Sequence, residues 1–360
     1  MKAAVCYEFE KPLVVEVVEI ALPGKGEVKV RLAATAICHS DIHDIKGELL
    51  GPVPFIGGHE SAGYVDEIGP GVTSVKAGDP VVVSLLASCG ECYYCITGMP
   101  HLCMEKFKSP EDIRLRNKQG KPLAQRGSIG GFAEYVLVKG SQVVKVPADM
   151  PLDRACLLAC GVTTGFGGVV NRAMVRPFQS VVVIGTGGVG INAIQGAVYA
   201  GAFPIIAVNV MDNKMKMAMD FGATHMVNAG REDAIESIRG LTGGRGAEFV
   251  FVTVGSIAAI KQGLSFTAPR GTVVLIGLPP AAEQLCFSPL ELIPTEKHLI
   301  GGFMGATNLK LDIPNLIRMY KTGQLKLDEL ITGRYTLDRI NDAIESTENG
   351  EGIRNVIVFE

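Results

Sequence analysis

Two groups of residues in this chain have the chemistry of metal ligands. Cys89, Cys92, Cys95 and Cys103 follow the spacing C-x2-C-x2-C-x7-C. Four thiolates so close together can form a tetrahedral sulfur cage, which suits zinc and leaves no open coordination position. Such a site holds a lobe together and does no chemistry. An iron–sulfur cluster is the competing reading, but the bacterial cluster motif continues with x3-C-P, whereas here seven residues intervene and Met104 follows. The second group is scattered: the run Cys38-His39-Ser40-Asp41-Ile42-His43, the pair His59-Glu60 between glycines, and Cys160 in C-G-V-T-T-G. Each alone reads as a polar turn or a hydrogen-bonded pair. Together Cys38, His59 and Cys160 offer three ligands and a free fourth position, which is the arrangement of a catalytic zinc.

A third motif handles phosphate. Gly185-Thr186-Gly187-Gly188-Val189-Gly190 follows an apolar run at 180–184 and opens a helical stretch. In that context Gly185 permits the tight turn, Gly187 lets the backbone approach a pyrophosphate, and Gly190 lets helix and strand pack closely. The acidic residue expected on the adenosine ribose is replaced by Asn209, which can hydrogen-bond a hydroxyl but lacks the charge that repels a 2′-phosphate. Asp212 would oppose such a phosphate, and Lys214 and Lys216 could approach it. The balance favours NAD over NADP.

The elements that carry these residues change character along the chain. Up to about residue 151, short valine-rich runs at 27–32, 61–68, 80–85 and 132–138 alternate with Gly, Pro and Asp turns, the pattern of a β-rich half. Apolar strands at 180–184, 204–209, 225–228, 249–254, 272–277 and 299–303 follow, with helices at 189–200, 212–221 and 232–241 between the first four. This rhythm predicts a doubly wound parallel sheet. The tail brings helical stretches at 314–321 and 337–348 and a last strand at 355–359, whose expected place is on the first domain.

With 360 residues, two domains are expected. A formal net charge of −3 argues against nucleic acid or an anionic membrane as partner, leaving a small molecule. No apolar run approaches the roughly 20 residues of a membrane helix and no targeting segment is visible, so the chain reads as a soluble cytoplasmic protein. Its nine cysteines would then be reduced. The 44 glycines, well above the usual ~7%, fit a chain of tight turns.

These motifs, in this order and together with the ending Gly352-Ile353-Arg354-Asn355, resemble the zinc-dependent alcohol dehydrogenases of the medium-chain dehydrogenase/reductase superfamily over nearly the whole chain. The resemblance implies a GroES-like β-rich catalytic domain from residues 1–161 and 304–360, carrying the zinc lobe 89–103, and a Rossmann domain from 162–303. It implies two zinc ions per chain, one catalytic on Cys38, His59 and Cys160 and one structural on the four-cysteine lobe. Glu60 would sit beside the catalytic metal without being a regular ligand, and Asp41 would orient the ligating imidazole.

A bound alcohol would be acidified and would give hydride to the nicotinamide, its proton leaving through Ser40 and His43, unless His43 is a surface histidine. His39 and Arg354 would contact the cofactor pyrophosphate, although Arg354 also reads as a solvated terminal charge. Val254, Lys214 and Thr164 would lie along the cofactor. Leu85 and Phe132 would line the substrate pocket, or be plain core.

The expected reaction is interconversion of a primary alcohol and an aldehyde with NAD(H), by a homodimer or homotetramer. A glutathione-adduct formaldehyde dehydrogenase and a nicotinoprotein alcohol dehydrogenase, which the stretch 156–165 and the tail resemble, are the neighbouring readings. A non-catalytic cofactor-binding relative is the reading from a different class. The basic stretch 106–126 reads as solvated loop, or as a cleft border that meets a distal negative group on a substrate.

Overall fold

The longest strand among the described residues, Glu27–Ala36, places Val28, Val30 and Leu32 on one buried face. Alternation of this kind lets an antiparallel strand face the core on one side only. The strand lies inside a mixed sheet with antiparallel partners Glu60–Ile68, Tyr135–Lys139 and Arg354–Val358. The computed structural model describes residues 1–49, 51–104 and 113–360. The start of the basic stretch 106–126 thus lies outside the described residues; its remainder forms the short antiparallel pair Leu115–Arg116 and Pro122–Gln125.

Two compact units result, one of Met1–Cys160 with Asn308–Glu360 and one of Gly161–Thr307. In the first, one core gathers Val28, Val30, Leu32, Val65, Val81 and Val136. A second core joins Ala3, Val5, Phe55, Ile56 and Phe132 to Ile340 and Ile357 from the tail. The tail helix Leu309–Lys321 begins five residues before the expected start and accommodates Pro314, and the final strand spans Arg354–Val358.

The second unit is a wholly parallel sheet of Val181–Ile184, Ile205–Asn209, His225–Asn228, Ala247–Val252, Thr267–Leu275 and His298–Gly301. Numbered in sequence, they stand in the order 3-2-1-4-5-6 of a dinucleotide-binding sheet. Val181–Ile184 is buried along its whole length, as a central parallel strand requires.

Three differences from the sequence expectation have local causes. The helix Ile257–Phe266 was not expected, because Gly263 breaks its apolar pattern; that glycine is where the helix meets Val252 and Val273. The strand Thr267–Leu275 starts before the expected residue 272, hidden by Pro269 and Gly271 where its register slips. The last strand stops at Gly301, and Phe303 opens a 3-10 turn with Met304 and Gly305 at positive φ. Among the described residues, no helix is long and apolar enough to cross a membrane.

Candidate active site

Sheet register brings the scattered motif together. Ala36 lies opposite Glu60, and Glu60 lies opposite Ser84. Cys38 follows the end of one strand and His59 precedes the start of its neighbour, so both emerge at the same sheet end. The Ser84 hydroxyl donates to the Ala159 carbonyl at 2.7 Å and holds Cys160 there too. One donor atom each from Cys38, His59, Glu60 and Cys160 consequently lies within 4.8 Å of the other three.

Asp41 organises this set. As the third residue of the helix His39–Ile45 it accepts the Cys38 N–H on Oδ2 at 2.9 Å, closing the helix start. Its Oδ1 accepts the Gly58 N–H at 3.1 Å and faces His59 Nδ1 at 2.9 Å. A carboxylate there keeps the imidazole proton on Nδ1 and leaves the Nε2 lone pair for a ligand. Burial alone would lower the His59 pKa, but Asp41 and Cys160 outweigh it and hold the value well above the ordinary one. Gly127 completes the support: at φ 58° it lies so near that a Cβ would stand 2.7 Å from the His59 Cβ. No spacing signal in the sequence pointed to Gly127.

The electrostatics of the set suit a cation. The Cys160 thiol beside it holds Cys38 well below the usual thiol range, while that same contact and burial push Cys160 up. Burial raises the Glu60 carboxyl to about 7 against the pull of Arg354. Arg354 approaches Glu60 to 2.7 Å, but without the angles of a hydrogen bond, so both Glu60 oxygens are buried with no donor. Buried thiol, imidazole and carboxylate groups with unmet acceptor capacity fit a divalent ion such as zinc.

The remaining expected residues are placed as follows. Ser40 Oγ lies 3.3 Å from Cys38 Sγ and 3.5 Å from His59 Nε2, within the set. His43, one turn further along the helix, pairs through Nδ1 with Glu48, a partner that sequence reasoning missed. His39 is exposed, with its ring edge toward His43 at 5.7 Å. Arg354 is not the solvated charge that an arginine near the end of the chain suggests. Its guanidinium is 4% exposed and faces Glu60 and the Ile37 carbonyl, because a buried carboxylate needs a counter-charge. Phe132 is core rather than pocket wall: it is fully buried, with Gly57 and Gly58 pressed against its ring. Leu85 is half-buried on the valine core.

The four-cysteine lobe is equally well formed. The Cys89 sulfur stands 4.0 Å from that of Cys95 and 3.7 Å from that of Cys103, which is 3.9 Å from that of Cys92. A zinc–sulfur bond of about 2.3 Å in a tetrahedron needs sulfurs about 3.8 Å apart. Backbone N–H groups of Cys89 and Cys92 donate to Cys103 and Cys89 sulfurs at 3.3 Å, as thiolates would attract them. No cysteine of the chain is in a disulfide.

In the second unit the glycine-rich turn has the shape its motif requires. Gly185 has φ 88°, and a Cβ there would meet Val254 at 2.3 Å. A Cβ on Gly190 would lie 1.9 Å from the Gly185 carbonyl oxygen, whereas one on Gly187 would meet nothing within 4 Å. Gly187 caps the helix Gly188–Tyr199, which begins with Gly188 and Val189, so the open space lies at a helix N-terminus, where anions are favoured. Asn209 Nδ2 donates to Thr186 Oγ1 at 2.9 Å and its Oδ1 accepts the Val210 and Met211 N–H groups, which leaves one amide hydrogen for a ribose hydroxyl. Asp212 does not stand as the bare negative charge expected: Arg231 pairs with it and Asn228 donates to it at 2.6 Å. Lys214 is buried beside the turn, and burial lowers its pKa. Thr164, in the helix Gly161–Gly167, is buried and donates to the Met304 sulfur at 3.5 Å.

Comparison with known proteins agrees with this geometry. Residues 24–148 match the alcohol dehydrogenase GroES-like domain and residues 188–322 the zinc-binding dehydrogenase domain. The chain is 39% identical to alcohol dehydrogenase B of Mycobacterium tuberculosis, covering 99% of this chain and 98% of that protein. It is 37% identical to an NDMA-dependent alcohol dehydrogenase of Amycolatopsis methanolica, with the same coverage of both. The benzyl alcohol dehydrogenase structure from Acinetobacter calcoaceticus superposes with a TM-score of 0.92 at 31% identity, covering 100% of this chain and 99% of that one. Fold, donor set and relatives together place the chain among the zinc-type alcohol dehydrogenases of the medium-chain dehydrogenase/reductase superfamily.

Proposed function

We propose that this oxidoreductase interconverts a primary alcohol and an aldehyde with NAD(H), using the residues assembled around Asp41. The observation that carries this reading is the convergence of Cys38, His59 and Cys160, from three separate stretches, to within 4.8 Å of one another in a buried place. Zinc held by these three residues would supply a Lewis acid that lowers the pKa of a bound hydroxyl group. NAD(H), at the turn Gly185–Gly190, would accept or return the hydride.

The chain's own groups do the rest. Asp41 holds the His59 imidazole in the ligating tautomer. Ser40, in reach of both Cys38 and His59, relays the proton that the alcohol loses, taking it up as its own hydroxyl proton is passed on. His43 passes it outward: Glu48 engages Nδ1 and leaves Nε2 as the basic nitrogen. Glu60, paired with Arg354, adds a carboxyl group beside the two thiolates. The lobe of Cys89, Cys92, Cys95 and Cys103 holds a structural zinc.

Cys38→Ser tests the assignment. Expected are loss of alcohol turnover and a fall from two zinc ions per chain to one, by metal analysis of the folded protein. Full turnover with both ions retained would show the mechanism to be wrong.

The 37% identity to an NDMA-dependent enzyme supports a second reading, in which NAD(H) stays bound through turnover and a second acceptor takes the electrons. Near-stoichiometric nicotinamide released on denaturing the purified, undialysed protein would favour it. An empty protein would favour exchangeable cofactor, and glutathione dependence of formaldehyde oxidation would mark the adduct-oxidising alternative. NAD is preferred over NADP because Asn209 still offers a ribose donor and Asp212 with Arg231 presents no net positive charge. Unbridged cysteines fit a reducing cytoplasm. A homodimer is supported by the open edge of His298–Gly301, flanked by exposed Leu290 and Ile293.

A further inference from the structure

The second unit has a cavity of about 580 Å³ that the proposed chemistry does not use. It lies at the N-terminal ends of the parallel strands, lined by Gln179 before the first strand, Glu248 and Phe249 at the start of the fourth, and Thr272 in the fifth. The glycine-rich turn is at the opposite, C-terminal ends. Cofactors of such sheets bind outside the carboxyl ends, so this cavity is a separate site. Its volume is within the usual range for small-molecule pockets.

The cavity wall is cationic. Arg239, Arg245, Arg270 and Lys297 line it, and Glu248 is the one carboxylate among the lining residues. Glu248 Oε2 is engaged elsewhere, accepting the Ser180 N–H at 2.7 Å and the Ser180 hydroxyl at 3.0 Å. The arginines are held only loosely. Arg239 reaches Glu236 at 3.5 Å and Arg270 reaches Glu296 at 3.4 Å, both between exposed side chains and so of small energy. Among the described residues, no carboxylate lies within ion-pair distance of the exposed Arg245. Lys297 is partly buried, with Nζ donating to the Leu264 carbonyl at 2.7 Å, which anchors one charge at the wall.

Backbone strain marks the same place. Between Ala247 opposite Thr267 and Phe249 opposite Thr272, the fifth strand carries residues 268–271 as a protrusion. Arg270 at its tip has φ 60°, and its partner Glu296 has φ 48°. Left-handed conformations at non-glycine residues are costly and gather at functional sites. Here the strain presents one of the four cations to the cavity. Phe249 offers an apolar wall beside them.

From the cavity, its four cations and the strained protrusion together, we infer that this end of the sheet binds a small organic phosphate ester. Guanidinium groups match phosphate oxygens in paired hydrogen bonds, and Phe249 faces the carbon skeleton. Bound ligand would link the loop after the helix Ala234–Leu241 to the protrusion and to the segment before the last strand.

The test uses full-length protein saturated with NAD(H), so that the glycine-rich turn is occupied. Glucose 6-phosphate and inorganic pyrophosphate are titrated by calorimetry at physiological ionic strength. Saturable binding of glucose 6-phosphate, weakened at least tenfold in Arg245→Gln/Arg270→Gln with alcohol turnover unchanged, is the expected result. Binding of pyrophosphate alone would replace the phosphate ester by a bare anion site and overturn the assignment. So would saturable binding that is equal in the variant, or no binding of either probe. Arg245→Gln alone, which removes an exposed side chain without an ion-pair partner, repeats the comparison should the double variant fold poorly.

Discussion

Arg354 and Glu60 show how far a single contact reaches. Both side chains are almost wholly buried, and they form an ion pair at 2.7 Å. Removing one member of such a pair leaves a buried charge without compensation, at a cost of about 3–5 kcal/mol, whereas replacing both can be nearly neutral. Arg354→Met is therefore expected to lower the urea midpoint strongly, and the double variant Arg354→Met/Glu60→Gln to recover most of that loss. Equal midpoints for the single and double variants would mean that Arg354 matters for its packing alone. The pairing was not legible in the sequence, where Arg354 stands 294 positions from Glu60 and resembles a terminal solvated charge. The same holds for Glu48 on His43 and Gly127 on His59: a motif names the residue that does chemistry, while its support comes from whichever segment the fold brings alongside.

Elements with strong periodicity were legible and interrupted ones were not. The valine runs within Glu27–Ala36, Pro80–Ser84 and Val181–Ile184 form strands, since β-branched residues on a pleated, buried surface leave little alternative. Thr267–Leu275 and Ile257–Phe266 carry Gly or Pro where a neighbour approaches closely, so their local signal is weakest where the tertiary fit is tightest. The glycine-rich turn separates these two uses of glycine and allows a prediction at the scale of the strand–turn–helix element. Gly190→Ala would press a methyl group against the Gly185 carbonyl and wedge the helix from its strand, with a loss of about 1–3 kcal/mol in stability. Gly187→Ala meets no protein atom, so its thermal midpoint should match the parent while NAD(H) affinity falls at least tenfold. Undiminished affinity in Gly187→Ala, measured by fluorescence titration, would remove the pyrophosphate from that turn.

At the scale of the molecule, the chain enters the second unit after Cys160 and returns at Asn308. The first unit is incomplete until that return: Val356 and Ile357 must pair with Ala36 and Thr35 across the central sheet, a closure of over three hundred residues. The second unit is built from consecutive strands and helices around its own core of Val182, Ile206, Val250 and Val273. Contacts of such different sequence separation favour early formation of the second unit. Separate cores also mean that ligands act on separate parts of the stability. A ligand that binds only folded protein stabilises by RT ln(1 + [L]/Kd), about 2.7 kcal/mol at a hundredfold excess over Kd. Hydrogen exchange resolves where that stabilisation falls. With NAD(H) at this excess, amides of Val181–Ile184 and Ile205–Asn209 that exchange only by unfolding of their unit should slow by up to about 100-fold. Chelation of zinc should instead speed exchange around Cys38, His59 and the segment from Cys89 to Cys103, with the Val181–Ile184 strand unaffected. If chelator and cofactor change both sets of peptides equally, the two units unfold as one and share a single stability, and the division into separately ligated halves fails.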